Sequence, residues 1–300
     1  MDIVVIDRET GTKVKEVVAG ESFLQWSCRS LLGRVFMDMV GSRKMLSSLM
    51  GFYQSSPLSK SQIHRFVETM GINMEEAEWS RVSDYKSFND FFSRKLKPGA
   101  RVTDANDEVV ISPADGRILA YQNLKEYQML QIKGKTFSVK ELLVDSALAA
   151  LFKNGSCIVV RLNPSDYHRF HFPVTCTPER HKEIKGRYYS VNPMSLMCVD
   201  KVYCKNVRQI SILKSVKHGM IAMVEVGAAM VGSVKQTYKP DSEVKKGEEK
   251  GFFQFGGSTV ILLFQPDRIT LDSDLVENTV SGHETLVKMG ESIGKAKDVE

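Results

Sequence analysis

Apolar and polar positions along the chain fall into two textures. From about Ser22 to Pro57 the large apolar residues recur three and four apart. They run from Phe23, Leu24 and Trp26 through Leu31, Leu32, Val35, Phe36, Met39 and Val40 to Met45, Leu46, Leu49, Met50, Phe52 and Tyr53. That spacing predicts helices with one apolar face. Further helices are predicted over Ser61–Met70, capped by Ser59 or Ser61, and over Ser87–Lys95, where aromatic and charged positions alternate. Lys97-Pro98-Gly99 breaks the pattern and sets a boundary near 100–105. Ahead of the helices, residues 3–6 and 13–18 read as a hairpin around Glu9-Thr10-Gly11-Thr12.

After the boundary, short β-type runs alternate with turns. They cover Glu108–Ser112, Arg117–Tyr121, Gln128–Ile132, Ser156–Leu162, Arg208–Leu213, Met220–Val226, Val231–Lys235 and Thr259–Phe264. Thr279–Val280 and Glu284–Val287 are two further candidates to close the sheet. Only Val139–Phe152 reads as a clear helix. Strands this short and evenly spaced exclude a βαβ protein. The expected class is α+β: an N-terminal helical region over 1–103 and a β-rich barrel or sandwich over 104–300.

Composition changes this picture little. Hydrophobic residues make up 42% and charged residues 26% of 300, as in ordinary globular proteins. A net charge of +5 is too small to argue for nucleic acid. Cys28, Cys157, Cys176, Cys198 and Cys204 are odd in number and contain no Cys-x-x-Cys pair, which argues against a disulfide framework or a zinc site. No apolar run reaches the roughly 18 residues of a membrane span. Charge does change the reading of the N-terminal helices. Between residues 22 and 60, Arg29, Arg34, Arg43, Lys44 and Lys60 face only Asp38. Apolar bulk with a cationic polar face suits a helix lying in a bilayer interface, and equally one packed on its own domain.

Three places carry candidate chemistry. Gly256-Gly257-Ser258-Thr259 enters an apolar run, and a hydroxyl there can attack the carbonyl just before it. The resulting ester can undergo β-elimination, which breaks the chain and leaves Ser258 as a pyruvoyl ketone. The same four residues also suit a plain turn leading into a strand. Asp115 lies in the turn Pro113-Ala114-Asp115-Gly116, where it can satisfy its own backbone or orient a histidine. In Asn163–Pro173 the expectation is a short helical turn opened by Pro164, with His168 and His171 three apart on one face. No carboxylate or cysteine is spaced to complete a metal site, so acid–base work is the preferred role. Asp115, a histidine and Ser258 together have the residue types of a nucleophile, base and orienter.

These blocks resemble the phosphatidylserine decarboxylase family over nearly the whole chain. The resemblance rests on Phe88-Asn89-Asp90-Phe91-Phe92-Ser93-Arg94, Leu96-Lys97-Pro98-Gly99-Ala100-Arg101 and Ser112-Pro113-Ala114-Asp115-Gly116. It continues through Tyr167-His168-Arg169-Phe170-His171-Phe172-Pro173, Tyr189-Ser190-Val191-Asn192-Pro193, Val224-Glu225-Val226-Gly227-Ala228, Lys246-Gly247-Glu248-Glu249 and the Gly257-Ser258 pair. It implies a lipoyl-like, barrel-sandwich core and self-cleavage between Gly257 and Ser258 into chains 1–257 and 258–300. By resemblance Asp115, His171 and Ser258 drive cleavage, and His168 handles the proton during decarboxylation. The cofactor is then a covalent pyruvoyl group at Ser258, with no metal. The reaction takes phosphatidylserine to phosphatidylethanolamine through a Schiff base.

The implied partners are the phospholipid membrane, phosphatidylserine and the two chains of one precursor, with homodimerisation left open. The implied location is peripheral, on the cytoplasmic face of a bacterial cell membrane. Two positions depart from the family pattern: Gly256 stands where leucine is frequent, and Val207 where a glutamate is common. Competing readings are a pyruvoyl enzyme for a soluble amino acid, a serine hydrolase and a catalytically silent membrane-binding module. The second lacks the Gly-x-Ser-x-Gly elbow.

Overall fold

The computed structural model describes residues 3–17, 30, 33, 44–124, 129–132, 135–227, 234–256 and 258–297. The apolar groups between Phe23 and Val40, Cys28 and Gly257 lie outside the described residues.

One large sheet organises the described chain. Its order is Lys182–Ile184, Arg208–Ser215, Gly219–Gly227, Ser258–Phe264, Ser156–Leu162, Gly116–Tyr121, Glu284–Val287, Val4–Asp7, Lys13–Lys15. Every pairing is antiparallel except that of Val4–Asp7 with Glu284–Val287. The predicted N-terminal hairpin therefore forms and adds two strands to the sheet of the C-terminal part.

The central strands are continuous apolar runs because both sheet faces are covered. All seven residues of Ser258–Phe264 and of Ser156–Leu162 are buried. On one face Ile118, Ala120, Ile158, Val160, Leu162, Val260, Leu262 and Phe264 join one cluster. On the other, Leu119, Cys157, Val159, Ile261 and Leu263 join a second. Each Val, Leu, Ile or Phe among them contributes about 1.5–3 kcal/mol on burial, so these strands are costly to disturb.

A small sheet covers the first face. It pairs Val234–Gln236 with Glu249–Phe253 and the latter with Arg169–His171. The second pairing shifts register between Glu249 and Gly251. A bulge of this kind re-aims a side chain, and Lys250 is turned into the core. There its Nζ donates to Glu225 Oε1 at 2.8 Å, Gln236 Oε1 at 2.9 Å and Ser211 Oγ at 3.0 Å. Gly251 is required beside it, since a Cβ there would meet the Lys235 carbonyl oxygen at 2.2 Å.

Helices form a separate layer. Lys44–Ser55, the 3-10 turn Pro57–Ser61, Gln62–Met70 and Phe88–Phe92 pack around Ile63, Phe66, Tyr85, Phe88, Phe91 and Phe92. Ser87 caps the last of these, its hydroxyl accepting from Asp90 N at 3.2 Å.

The α+β class and the strand-rich C-terminal part hold, and several local expectations do not. The helix expected over Ser87–Lys95 is shorter, Phe88–Phe92, and Ser61 precedes Gln62–Met70 without a side-chain cap bond. Val139–Phe152 is two short helices, Val139–Leu143 and Ser146–Ala150, because Val144 turns left-handed (φ 53°) and Asp145 caps afresh. Thr279–Val280 ends a helix, Ser273–Val280, whose Thr279 and Leu275 pack inward. The segment around His168 is a turn and a strand, Arg169–His171, and no helix forms there.

Candidate active site

That last correction decides the site. In a strand, alternate residues share a face. Phe170 and Phe172 are fully buried in the core cluster, and His168 shares their parity. His171 falls on the opposite side with Arg169. Ser258 opens its strand between Gly227 and Leu162 and shares the face of Val260 and Leu262. His168 and Ser258 thus project into one layer from two sheets.

They meet there. His168 Nδ1 lies 3.1 Å from Ser258 Oγ, and both residues are fully buried. The other nitrogen, Nε2, lies 3.1 Å from the Asn163 carbonyl oxygen. A carbonyl only accepts, so the proton sits on Nε2, and Nδ1 is left as the acceptor for the Ser258 hydroxyl. Burial pushes the His168 pKa down to about 3, helped by the charges of Arg94 and Arg117. The imidazole is therefore neutral at ordinary pH. Phe92 stacks on it with ring centroids 3.8 Å apart, which fixes its plane.

His171 is occupied differently. Its Nδ1 donates to the Gly247 carbonyl at 2.9 Å, and its Nε2 accepts from the Tyr167 hydroxyl at 3.1 Å. Burial lowers its pKa, and the nearby charges of Glu249 and Asp115 act against that. Asp115 is held by Arg101, at 2.5 Å from Nη2, and by the Met289 N–H at 2.8 Å. Backbone ties the two segments, since His171 N donates to the Pro113 carbonyl at 2.8 Å. Among the described residues, no hydrogen bond joins His171 or Asp115 to Ser258.

Several supporting residues were given no role in the site by the sequence reading. Phe88 and Phe92 pack edge-on against Phe255, three residues before Ser258, at 4.8 and 5.2 Å. Asn89 Oδ1 accepts from Phe255 N at 2.8 Å. The aromatic helix thus braces the approach to the Ser258 strand. Gly256 has φ 141°, which leucine would adopt only with strain. On the far face of the sheet, Arg161 is clamped by Glu16 at 2.7 Å and Glu284 at 2.5 Å. Arg117 pairs with Glu16 and Asp166. Glu16 Oε1 also accepts from Asn163 Nδ2 at 2.6 Å, so the hairpin anchors the residue that sets the His168 tautomer. The signal was present in the alternation His168, Phe170, Phe172. Arg161 and Asn163 lie 145 and 147 residues from Glu16 and have no local signature.

The arrangement offers a buried hydroxyl facing an unprotonated imidazole nitrogen at the first residue of a central strand. Among the described residues no group of His, Cys, Asp and Glu could hold a metal ion. The donors present suit acid–base and carbonyl chemistry.

Known proteins resemble the chain over most of its length. The family model for phosphatidylserine decarboxylase matches residues 88–295. A Clostridium perfringens protein named phosphatidylserine decarboxylase proenzyme is 46% identical over 97% of this chain and 99% of its own length. A Fusobacterium nucleatum protein of that name is 46% identical over 98% of this chain and 97% of its own. One from Desulfitobacterium hafniense is 44% identical over 96% of each. The aromatic helix, the Asp115 turn, the His168–His171 segment and the Ser258 strand all lie inside the matched span, and the chain belongs to the phosphatidylserine decarboxylase family.

Proposed function

We propose that the protein cleaves itself between Gly257 and Ser258 and then decarboxylates phosphatidylserine to phosphatidylethanolamine. The observation that carries this is the buried Ser258 hydroxyl held against His168 Nδ1 at the start of the central strand. In the cleavage, Ser258 Oγ attacks the Gly257 carbonyl carbon. A C–O bond forms and the C–N bond breaks, giving an ester. Loss of the Ser258 Cα proton expels the carboxylate of residue 257. The dehydroalanine left behind takes up water, releases ammonia and becomes a pyruvoyl end group. Asp115 and His171 are proposed to serve this stage. The Asp115 charge favours the protonated imidazole, and the backbone bond from His171 to Pro113 keeps the two together.

A pyruvoyl group at position 258 supplies a carbonyl that draws electrons from a condensed amine, as pyridoxal does. His168 stands at the same position and is the residue placed to hold and pass a proton there. Its burial, with Phe92 over the ring, excludes water from that transfer. We read the two apolar layers around the sheet as support for the barrel-sandwich arrangement.

Membrane binding fits the helical layer. On Lys44–Ser55 and the following turn, Leu49, Phe52 and Leu58 are 71, 81 and 76% exposed. Such side chains on the surface suit the apolar side of a bilayer interface. No helix among the described residues is long and apolar enough to cross a membrane. We propose that binding is peripheral, on an anionic leaflet. Replacing Phe52 and Leu58 by glutamate is expected to reduce sedimentation with phosphatidylserine-containing liposomes, and unchanged sedimentation would reject this surface.

Mass spectrometry tests the central reading. Purified protein is expected as two fragments, the smaller with a blocked N-terminus. Ser258→Ala and His171→Asn are expected as one chain of 33.7 kDa. A single unbroken wild-type chain, or a free amine on residue 258, would refute it. Cleavage without turnover of phosphatidylserine, but with turnover of a free amino acid, would favour the soluble-substrate alternative.

A further inference from the structure

Arg94 is buried without a counterion. It is 5% exposed, and its Nη1 has no hydrogen-bond partner among the described residues. Nη2 donates to the backbone carbonyls of Ser165 at 2.9 Å and Asp166 at 3.2 Å. The guanidinium lies 5.1 Å from the centroid of the Phe91 ring. The two carboxylates that act on it through space are committed elsewhere, Asp115 to Arg101 and Asp166 to Arg117. A buried cation with a free donor costs several kcal/mol unless an anion completes it.

Of the two cavities that Arg94 lines, one also holds Tyr167, the neighbour of His168 in the chain. Arg94 lines a cavity of about 180 Å³ together with Arg101, Tyr167 and three carboxylates, of which Glu76 and Asp115 pair with Arg101 and Asp166 pairs with Arg117. Tyr167 precedes His168 in the chain, and the Arg94 charge is felt at the His168 ring. Arg94 also follows Phe92, which stacks on that ring, by two residues. One short segment therefore supplies both the wall over the imidazole and a buried guanidinium, with an unpartnered Nη1, whose charge reaches that ring.

We propose that Arg94 Nη1 is the receptor for the phosphodiester of the substrate's serine headgroup. The guanidinium fork suits a phosphate oxyanion, and the Ser165 and Asp166 carbonyls hold it in place. This rests on the decarboxylation reading and deepens it: the free donor selects a phosphorylated serine over a bare one. Arg94 is then a specificity-determining residue, one that touches the part of the substrate that does not react.

The test compares two soluble substrates with cleaved enzyme: glycerophosphoserine, and an O-alkylserine ether that lacks phosphate. For Arg94→Gln, kcat/KM on glycerophosphoserine is expected to fall about 10- to 100-fold, mainly through KM, as for the loss of a charged hydrogen bond. On the ether it is expected to stay within about threefold. Inorganic phosphate should inhibit the wild type competitively at constant ionic strength, and this inhibition should weaken about tenfold or more in the variant. An equal loss on both substrates would overturn the proposal. So would phosphate inhibition that Arg94→Gln leaves unchanged, or weakened phosphate inhibition with an unchanged KM for glycerophosphoserine, which would mark a site for free phosphate alone. If Arg94→Gln does not fold, Arg94→Lys, which keeps the charge and loses the fork, is judged by the same substrate ratio. A wild type inactive on both substrates would instead sink the decarboxylation reading. Calorimetric binding of inorganic phosphate to wild type and Arg94→Lys would then still decide whether Arg94 holds an anion.

Discussion

Lys250 and Arg94 are both buried cations on the side of the sheet that carries Ser258, and they are wired in opposite ways. Lys250 makes three hydrogen bonds, to Glu225, Gln236 and Ser211. Glu225 Oε2 accepts from Gln236 Nε2 at 3.0 Å, and the same amide reaches Gln209 at 2.8 Å. Burial lowers the Lys250 pKa and raises that of Glu225, while each partner's charge opposes the change. Nothing in that network is left to react or bind. Around Ser258 the accounting stays open: Arg94 keeps a free donor, and His168 keeps an unprotonated nitrogen on a hydroxyl. A closed network ties the small sheet to the large one. An open one holds the groups that a substrate or the chain itself can use.

Substitutions can break this contrast, and the largest effect is expected at the open end. His168→Asn should give a cleaved enzyme whose decarboxylation falls about 10²–10⁴-fold, the usual worth of a positioned acid–base group. Fragment masses and single-turnover rates check this. If His168→Asn stays intact while His171→Asn is cut, the cleavage step belongs to the imidazole that touches Ser258.

At the closed end the effect should be on stability. Lys250→Met strands the Glu225 carboxylate and should cost about 3–5 kcal/mol in denaturant unfolding. Adding Glu225→Leu should recover most of it, since an apolar pair of similar volume replaces a buried ion pair with little loss. A double variant as unstable as the single one would mean that the pair does more than close the network.

The smallest effect is expected from pH. The folded-state pKa of His168 lies near 3, below its ordinary value of about 6.5. Between those values the unfolded chain binds the extra proton, so acidification favours unfolding. Stability should fall from about pH 6.5 towards pH 3, and His168→Asn should flatten that slope. An unchanged slope would place the titration on other groups, with His171, also lowered by burial, the first to examine.

The sequence made the strand-rich part legible because its strands are apolar runs bounded by turns. Ser156–Leu162 has the same bounds in both readings. The error around His168 came from period. Pro164 and two histidines three apart suggest a helix, yet Phe170 and Phe172 mark a two-residue alternation, which the small sheet enforces through Glu249–Phe253. Arg94 was read as part of an alternating aromatic and charged surface. The helix that ends two residues before it, Phe88–Phe92, is instead almost wholly inside, with Phe88, Asn89, Phe91 and Phe92 buried. Burial of a cation is a property of the packed layer, and no local pattern announces it. The Glu16 clamp on Arg161 was hidden for a related reason, because it joins residues 145 positions apart.

The strand that begins at Ser258 has neighbours on both sides that precede residue 257 in the chain. A break ahead of Ser258 would therefore free no piece of the molecule. Residues 258–264 would remain laced between two lengths of the other polypeptide, and Glu284–Val287 would still bridge Gly116–Tyr121 and Val4–Asp7. The shorter product should travel with the longer one through any native purification and separate only on denaturation. The nick would thus act as a chemical edit to an otherwise continuous fabric.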